Sequence, residues 1–210
     1  MSRPPILLLG AGGHARACID VIEQEGRFDV AGLVGLAEEV GTRMLGYSVL
    51  GMDADVPALL SKYAQALVTV GQIKTPEVRM RLFDLLLESG CGLPVIVSPR
   101  AYVSAHATLG AGTIVMHGAV VNAGAAVGRN CIINSQSLVE HDAVIADHCH
   151  IATGAAINSG VRIGTGTFVG SVASVRQSIR IGDRCLIGMG QRVIADCEPG
   201  TWIPSPKRRS

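Results

Sequence analysis

A chain of 210 residues with 48% hydrophobic residues can bury a sizeable core, as one large domain or two small ones. Its 18 basic and 17 acidic residues leave a formal net charge of +1, so composition implies neither nucleic acid nor an anionic membrane as partner, and the one charge run, Lys207 to Arg209, reads as a solvated tail. No apolar run approaches the about 18 residues of a membrane span, and Ile6 to Leu9 is too short for a signal-peptide core; a cytoplasmic protein is expected.

The first part of the chain alternates strand and helix signals. Ile6 to Leu9 reads as a buried strand, and GAGGHAR, Gly10 to Arg16, opens a helix that offers Ala17, Ile19, Val21 and Ile22 for packing. Val30 to Val34 and Ala66 to Val70 predict further strands. Thr75-Pro76-Glu77 starts a second helix with proline at its first position, and Leu93 to Val97 predicts a fourth strand. The alternation predicts a small parallel sheet, half of a Rossmann-like unit, over residues 1–95. Gly10, Gly12 and Ala15 fit G-x-G-x-x-A, a tight turn whose following helix N-terminus suits a phosphate. A dinucleotide would need a larger sheet and an acid after the second strand, where Val34-Gly35-Leu36 is apolar, so a mononucleotide or nucleotide-sugar pyrophosphate fits better than NAD. A glycine turn required only for packing would carry the same residues.

From residue 96 to 210 the pattern changes. Every sixth residue from Val97 through Val193 is Val, Ile or Leu, seventeen in a row. With about a quarter of positions aliphatic, chance would produce this with a probability on the order of one in ten billion. The position four residues after each aliphatic is usually small, as in Ala101, Ala119, Cys131, Ala143 and Cys149. Three hexads make one 18-residue coil of a parallel β-helix: the aliphatic fills a prism, the small residue fits a corner, and Gly or Asn supplies positive φ at turns. The 3% aromatic content suits so narrow a prism, and a sandwich with period-two alternation cannot generate the frame. Cys131, Cys149 and Cys185, spaced by 18 and 36, read as core residues rather than disulfides or metal ligands.

Within this array Glu140, His141 and Asp142 stand on one outward turn. A carboxylate on one imidazole nitrogen fixes the tautomer and leaves the other nitrogen to take a proton. A solvated charged turn would use the same residues. His106, His117, His141, His148 and His150 form no trio spaced for zinc, so no metal is expected. His148 reads as an outward, solvated turn residue, and His150 as one able to reach a groove on the coil surface.

Hexads such as IGTGTF at 163 and IGDRCL at 181, joined to GAGGHAR, NSQSLVEHDAV and PGTWIPSPK, resemble the left-handed β-helix acyltransferases of the sialic-acid O-acyltransferase and bacillosamine-pathway aminosugar N-acetyltransferase family. The resemblance covers nearly the whole chain. It implies acetyl-CoA as co-substrate, a nucleotide-linked amino sugar such as GDP-perosamine or a UDP-4-amino sugar as acceptor, and a homotrimer. It implies His141 as the base with Asp142 orienting it, and Gly10, Gly12, Gly13, His14, Asn134 and Glu140 at the nucleotide sugar. It implies acetyl-CoA along His150, Thr153, Gly154, Ser159, Gly170 and Ser171. Leu36-Ala37-Glu38-Glu39 stands where the family has an Asp pair, which leaves the base open. No Ser or Cys shares the hexad of His141, which favours direct attack in a ternary complex. O-acetylation of a sugar hydroxyl and a non-catalytic β-helix scaffold are the alternatives.

Overall fold

The computed structural model describes residues 3–206, so the basic tail Lys207 to Arg209 lies outside the described residues. The first strand, β1 (Pro5–Leu9), is apolar on both faces and takes the interior of the sheet, with Ile6 to Leu9 fully buried. α1 (Gly13–Glu25) follows and stops at Gly26, whose left-handed φ of 70° lets its N–H donate to the Ile22 carbonyl. β2 (Asp29–Val34), β3 (Arg43–Met44), β4 (Tyr47–Gly51), the short α2 (Val56–Leu60), β5 (Gln65–Val68) and α3 (Glu77–Glu88) complete this half.

The sheet order is β3-β4-β2-β1-β5. Four strands are parallel, but β3 is antiparallel to β4. This edge hairpin was not foreseen, because its two-residue turn is Leu45-Gly46, both with positive φ, where Asn-Gly is the usual signal. Leu93 to Val97 is not a fourth strand of this sheet. Pro94 has no N–H to give a ladder, Gly92 makes only an isolated bridge to Gln65, and the two residues that are extended, β6 (Ile96–Val97), open the next domain.

From β6 onward each of the seventeen hexad aliphatics ends a two-residue strand, and each strand up to Ser174–Val175 pairs in parallel with the one 18 residues further on, as Val120 with Leu138 and Ile132 with His150. The three ladders are the faces of a left-handed β-helix. Face one carries residues 96–97, 114–115, 132–133, 150–151, 168–169 and 186–187; face two carries 102–103, 120–121, 138–139, 156–157, 174–175 and 192–193; face three lies between them. The frame slips after Val193, and the last strand, Trp202–Ile203, caps face one. Every sixth residue from 112 to 190 has positive φ. Glycine holds only half of these corners; Asn130, Gln136, Asp142, His148, Val172, Ser178 and Arg184 hold the others.

Face one decides where the two halves meet. Its outward residues Ile96, Ile114 and Ile132 are fully buried in a shared core with Ala15, Cys18, Ile19 and Ile22 of α1. Polar links reinforce the seam. Asp20 Oδ2 accepts from His117 Nε2–H at 2.8 Å, with His117 Nδ1 2.6 Å from Ser98 Oγ. The fully buried Arg79 of α3 donates to the Val68, Val70 and Asn130 carbonyls and to Asn130 Oδ1. His148 is therefore not a solvated turn residue: α3 covers that edge, leaving it 7% exposed, with Asn130 Nδ2 2.9 Å from its Nδ1 and Phe83 edge-on to the ring. Burial lowers its pKa.

Candidate active site

The carboxyl ends of β1, β2 and β5 open on a cleft of about 650 Å³, where ligands of parallel α/β sheets bind. One wall is the Gly10–His14 turn, and the floor is Asn134 and His150 of the β-helix. The glycines have different reasons. At Gly10, φ is 124° and a Cβ would lie 2.6 Å from a Val70 methyl and 2.7 Å from Val70 N, so packing alone requires it. At Gly12 and Gly13 a Cβ would meet nothing within 4 Å; their lack of side chain leaves open space at the N-terminus of α1, where helix geometry leaves first-turn N–H groups to a ligand, apart from that of Ala15, which donates to the Gly12 carbonyl.

The floor is a chain of hydrogen bonds that crosses the domain seam. His150 Nδ1–H donates to the Gln72 carbonyl at 2.6 Å, since a carbonyl only accepts. His150 Nε2 lies 3.1 Å from Asn134 Nδ2, and Asn134 Oδ1 accepts the Ser135 N–H at 2.8 Å. Gln72 is itself buried and donates from Nε2 to the Gly166 carbonyl. Burial, with the Arg79 charge secondary, lowers the His150 pKa to about 4; burial, then Arg79 and His150, lowers that of His14 to about 3. Both imidazoles are neutral at pH 7.

Of the acidic stretch after β2, only Glu39 lines the cleft, and its carboxylate already accepts the Leu36 N–H at 2.7 Å. The Leu36 side chain stands exposed at the mouth with Ile73 and Val78, while Asp53 and Arg81 pair at 2.7 Å. The cleft residues Gln72, Ile73, Asp53 and Arg81 were missed in the sequence. Gln72 and Ile73 carry a readable signal, since they lie four and five residues past the carboxyl end of the parallel strand β5.

His141 and Asp142 lie elsewhere, on the edge between faces two and three, while Asn134 lies at the opposite edge of face two in the same coil. His141 Nδ1 is 2.8 Å from Asp142 Oδ2, and the pair is exposed. Asp142 takes the positive-φ corner, φ 60°, which turns its carboxylate back onto the preceding ring. Glu140 is half-buried; its Oε2 accepts from Asn122 Nδ2 one coil earlier at 2.9 Å and from the His141 N–H at 3.2 Å. Asn122, also missed, sits 18 residues before Glu140 in the same corner position.

Residues 5–86 match the family model of the PglD N-terminal domain. No curated protein sequence matches the chain. Over 95% of its length the chain superposes on 93% of a His-to-Asn variant of perosamine N-acetyltransferase from Caulobacter crescentus, solved in complex with CoA and GDP-perosamine, with 30% identity and a TM-score of 0.89. The chain belongs to this family of aminosugar N-acetyltransferases. The acetyltransferase domain of PglB from Neisseria gonorrhoeae, in complex with acetyl coenzyme A, is 27% identical over 97% of both chains with a TM-score of 0.85. WeeI from Acinetobacter baumannii, 23% identical over 94% of both chains, shares the fold with a TM-score of 0.81.

In this acetyltransferase the residues singled out in the sequence fall into three groups. Gly10, Gly12, Gly13, His14, Asn134 and His150 line one cleft. Thr153, Gly154, Gly170 and Ser171 run up the edge between faces one and two, above Asn134; Gly170 is buried there, and a Cβ on it would lie 2.6 Å from Met189 N. Glu140, His141 and Asp142 share the other edge with Ser159, one coil above His141, where Gly160 N–H donates to the His141 carbonyl. A single chain thus brings neither His141 nor Ser159 to the cleft. Among the described residues no group of three or more His, Cys, Asp and Glu side chains is placed to hold a metal ion, and no helix is long and apolar enough to cross a membrane.

Proposed function

We propose that the protein transfers the acetyl group of acetyl-CoA to the 4-amino group of a nucleotide-linked 4-amino-4,6-dideoxy sugar, with GDP-perosamine the first candidate and UDP-linked sugars the next. The observation that carries this reading is the cleft itself: a helix N-terminus behind two unencumbered glycines for a diphosphate, facing an oriented Asn134 at the sugar end. The Caulobacter relative, bound to CoA and GDP-perosamine, supports it. Residues 1–95 hold the nucleotide sugar and residues 96–210 carry out acyl transfer.

In the reaction the sugar amine attacks the thioester carbonyl while His141 Nε2 takes its proton. Asp142 on Nδ1 keeps that tautomer and stabilises the imidazolium that forms. Backbone N–H groups of a neighbouring coil steady the oxyanion, the C–S bond breaks, and the thiolate of CoA leaves and takes a proton. Glu140, tied to Asn122, borders the acceptor beside His141. Pantetheine lies along Thr153, Gly154, Gly170 and Ser171, with Ser159 at the end of its path. Cleft and His141 sit on opposite edges of one face, and in this reading the complete site joins edges of two neighbouring chains of a homotrimer. Acetyl-CoA supply places the reaction in the cytoplasm.

The test is a screen of GDP-, UDP- and dTDP-linked 4-amino sugars with acetyl-CoA, read by thiol release. A product whose acetyl group resists mild base is the amide expected; a base-labile product would be the ester of an O-acetyltransferase, and no release with any acceptor would leave a scaffold.

A further inference from the structure

We propose that His150 is a positioning residue that acts through Asn134: gripped by the Gln72 loop, it decides which way round the Asn134 carboxamide sits and so turns an N–H donor, not a carbonyl, towards the cleft. The inference rests on the reading above in that Asn134 faces the amino sugar, and it assigns His150 to the sugar rather than to the acetyl group.

The two ends of a carboxamide have the same shape and opposite hydrogen-bonding character, so something must choose between them. Here the choice is made at three linked contacts. The Gln72 carbonyl requires a hydrogen on His150 Nδ1. In a neutral ring Nε2 is then bare and can only accept, so it takes a hydrogen from Asn134 Nδ2. That leaves Asn134 Oδ1 for the Ser135 N–H, and the second Nδ2 hydrogen for an acceptor oxygen of the sugar in the cleft. Protonating Nε2 would set two donors against each other, and a flipped amide would lose the Ser135 bond. Burial and the nearby buried Arg79 cation favour the neutral form and outweigh the Gln72 carbonyl, whose bond by itself favours protonation; Phe168 packs edge-on at 5.2 Å and the neutral His14 ring lies at 6.4 Å. The preceding outward positions on face one are Ile96, Ile114 and Ile132, so the ladder itself has no need of an imidazole here.

Long-range proton–nitrogen NMR of the protein should show His150 as the Nδ1–H tautomer, unchanged between pH 8 and pH 5.5; an Nε2–H tautomer, or titration near 6.5, overturns the proposal. In kinetics, His150→Leu should raise KM for GDP-perosamine about tenfold and leave KM for acetyl-CoA within about twofold. His150→Gln, which can both donate to Gln72 and accept from Asn134, should recover most of the loss. A rise confined to acetyl-CoA, or no rescue by glutamine in a folded variant, contradicts it. Asn134→Ala should add little to His150→Leu, whereas additive losses would mean that the two act separately. If no nucleotide amino sugar is acetylated by the wild type, the proposed function falls, and the tautomer measurement still decides the relay.

Discussion

Asp142 occupies a backbone conformation that the fourteen corners from 112 to 190 share but that few side chains tolerate, with φ at 60°. Asp and Asn are the non-glycine residues best suited to it, and here the corner also aims the carboxylate at His141 Nδ1. The dyad was legible in the sequence because the hexad frame marks Val139 and Ala143 as core and leaves Glu140, His141 and Asp142 outside. His141→Asn should lower kcat at least about a hundredfold, with an unchanged melting temperature because the side chain is exposed. Undiminished turnover would assign the reaction to proximity alone. The buried cysteines were legible as small core residues but not as donors. Cys131, Cys149 and Cys185 each donate a thiol hydrogen to a carbonyl of the following coil, at 3.2, 3.1 and 3.2 Å, and Thr113 and Thr167 do the same with hydroxyls in the same column. Cys149→Ala should therefore cost about 1–3 kcal/mol in urea unfolding, through a cavity and an unpaired carbonyl, whereas Cys149→Thr should lose less.

Each β-helix element is two extended residues and a corner, and its stability depends on what the corner accepts. Val172 is the misfit: a β-branched residue at φ 59°, 70% exposed, so neither packing nor burial compensates for the backbone strain. Val172→Gly is expected to raise the urea midpoint, by about 1 kcal/mol of stability after the entropy that glycine adds to the unfolded chain. A fall would show that the valine contributes a contact in the assembled protein. The outward residues of face one run Ile96, Ile114, Ile132, His150 and Phe168, and that ladder of isoleucines was a readable sign of the face that docks against α1. In contrast, the β3–β4 hairpin left no sign beyond Gly46, since Leu45 is an uncommon residue for its φ of 48°.

At the scale of the molecule, two domains are joined by an apolar seam with buried imidazoles at its margin. His14, His148 and His150 have pKa values lowered chiefly by burial, to about 3 for His14 and about 4 for His150. Their unfolded counterparts titrate near 6.5, so their contribution is complete above that pH and is lost as pH falls from about 6.5 towards 4. Urea midpoints should drop between pH 7.5 and 4.5, and His150→Gln should flatten part of that drop; a parallel decline in the variant would assign it to other groups. The β-helix, its coil number, its core and the outward dyad were legible from the hexad period, because coil contacts recur at a constant separation of 18 residues and a one-dimensional period records them. The burial of His148, the reach of Gln72 to Gly166 and His150, and the place of His141 on the far edge of the face that carries Asn134 became visible in three dimensions alone. Those relations depend on how one domain docks on the other, and contacts between residues as far apart as 72 and 150 are set by the shapes of both surfaces, which no local pattern encodes.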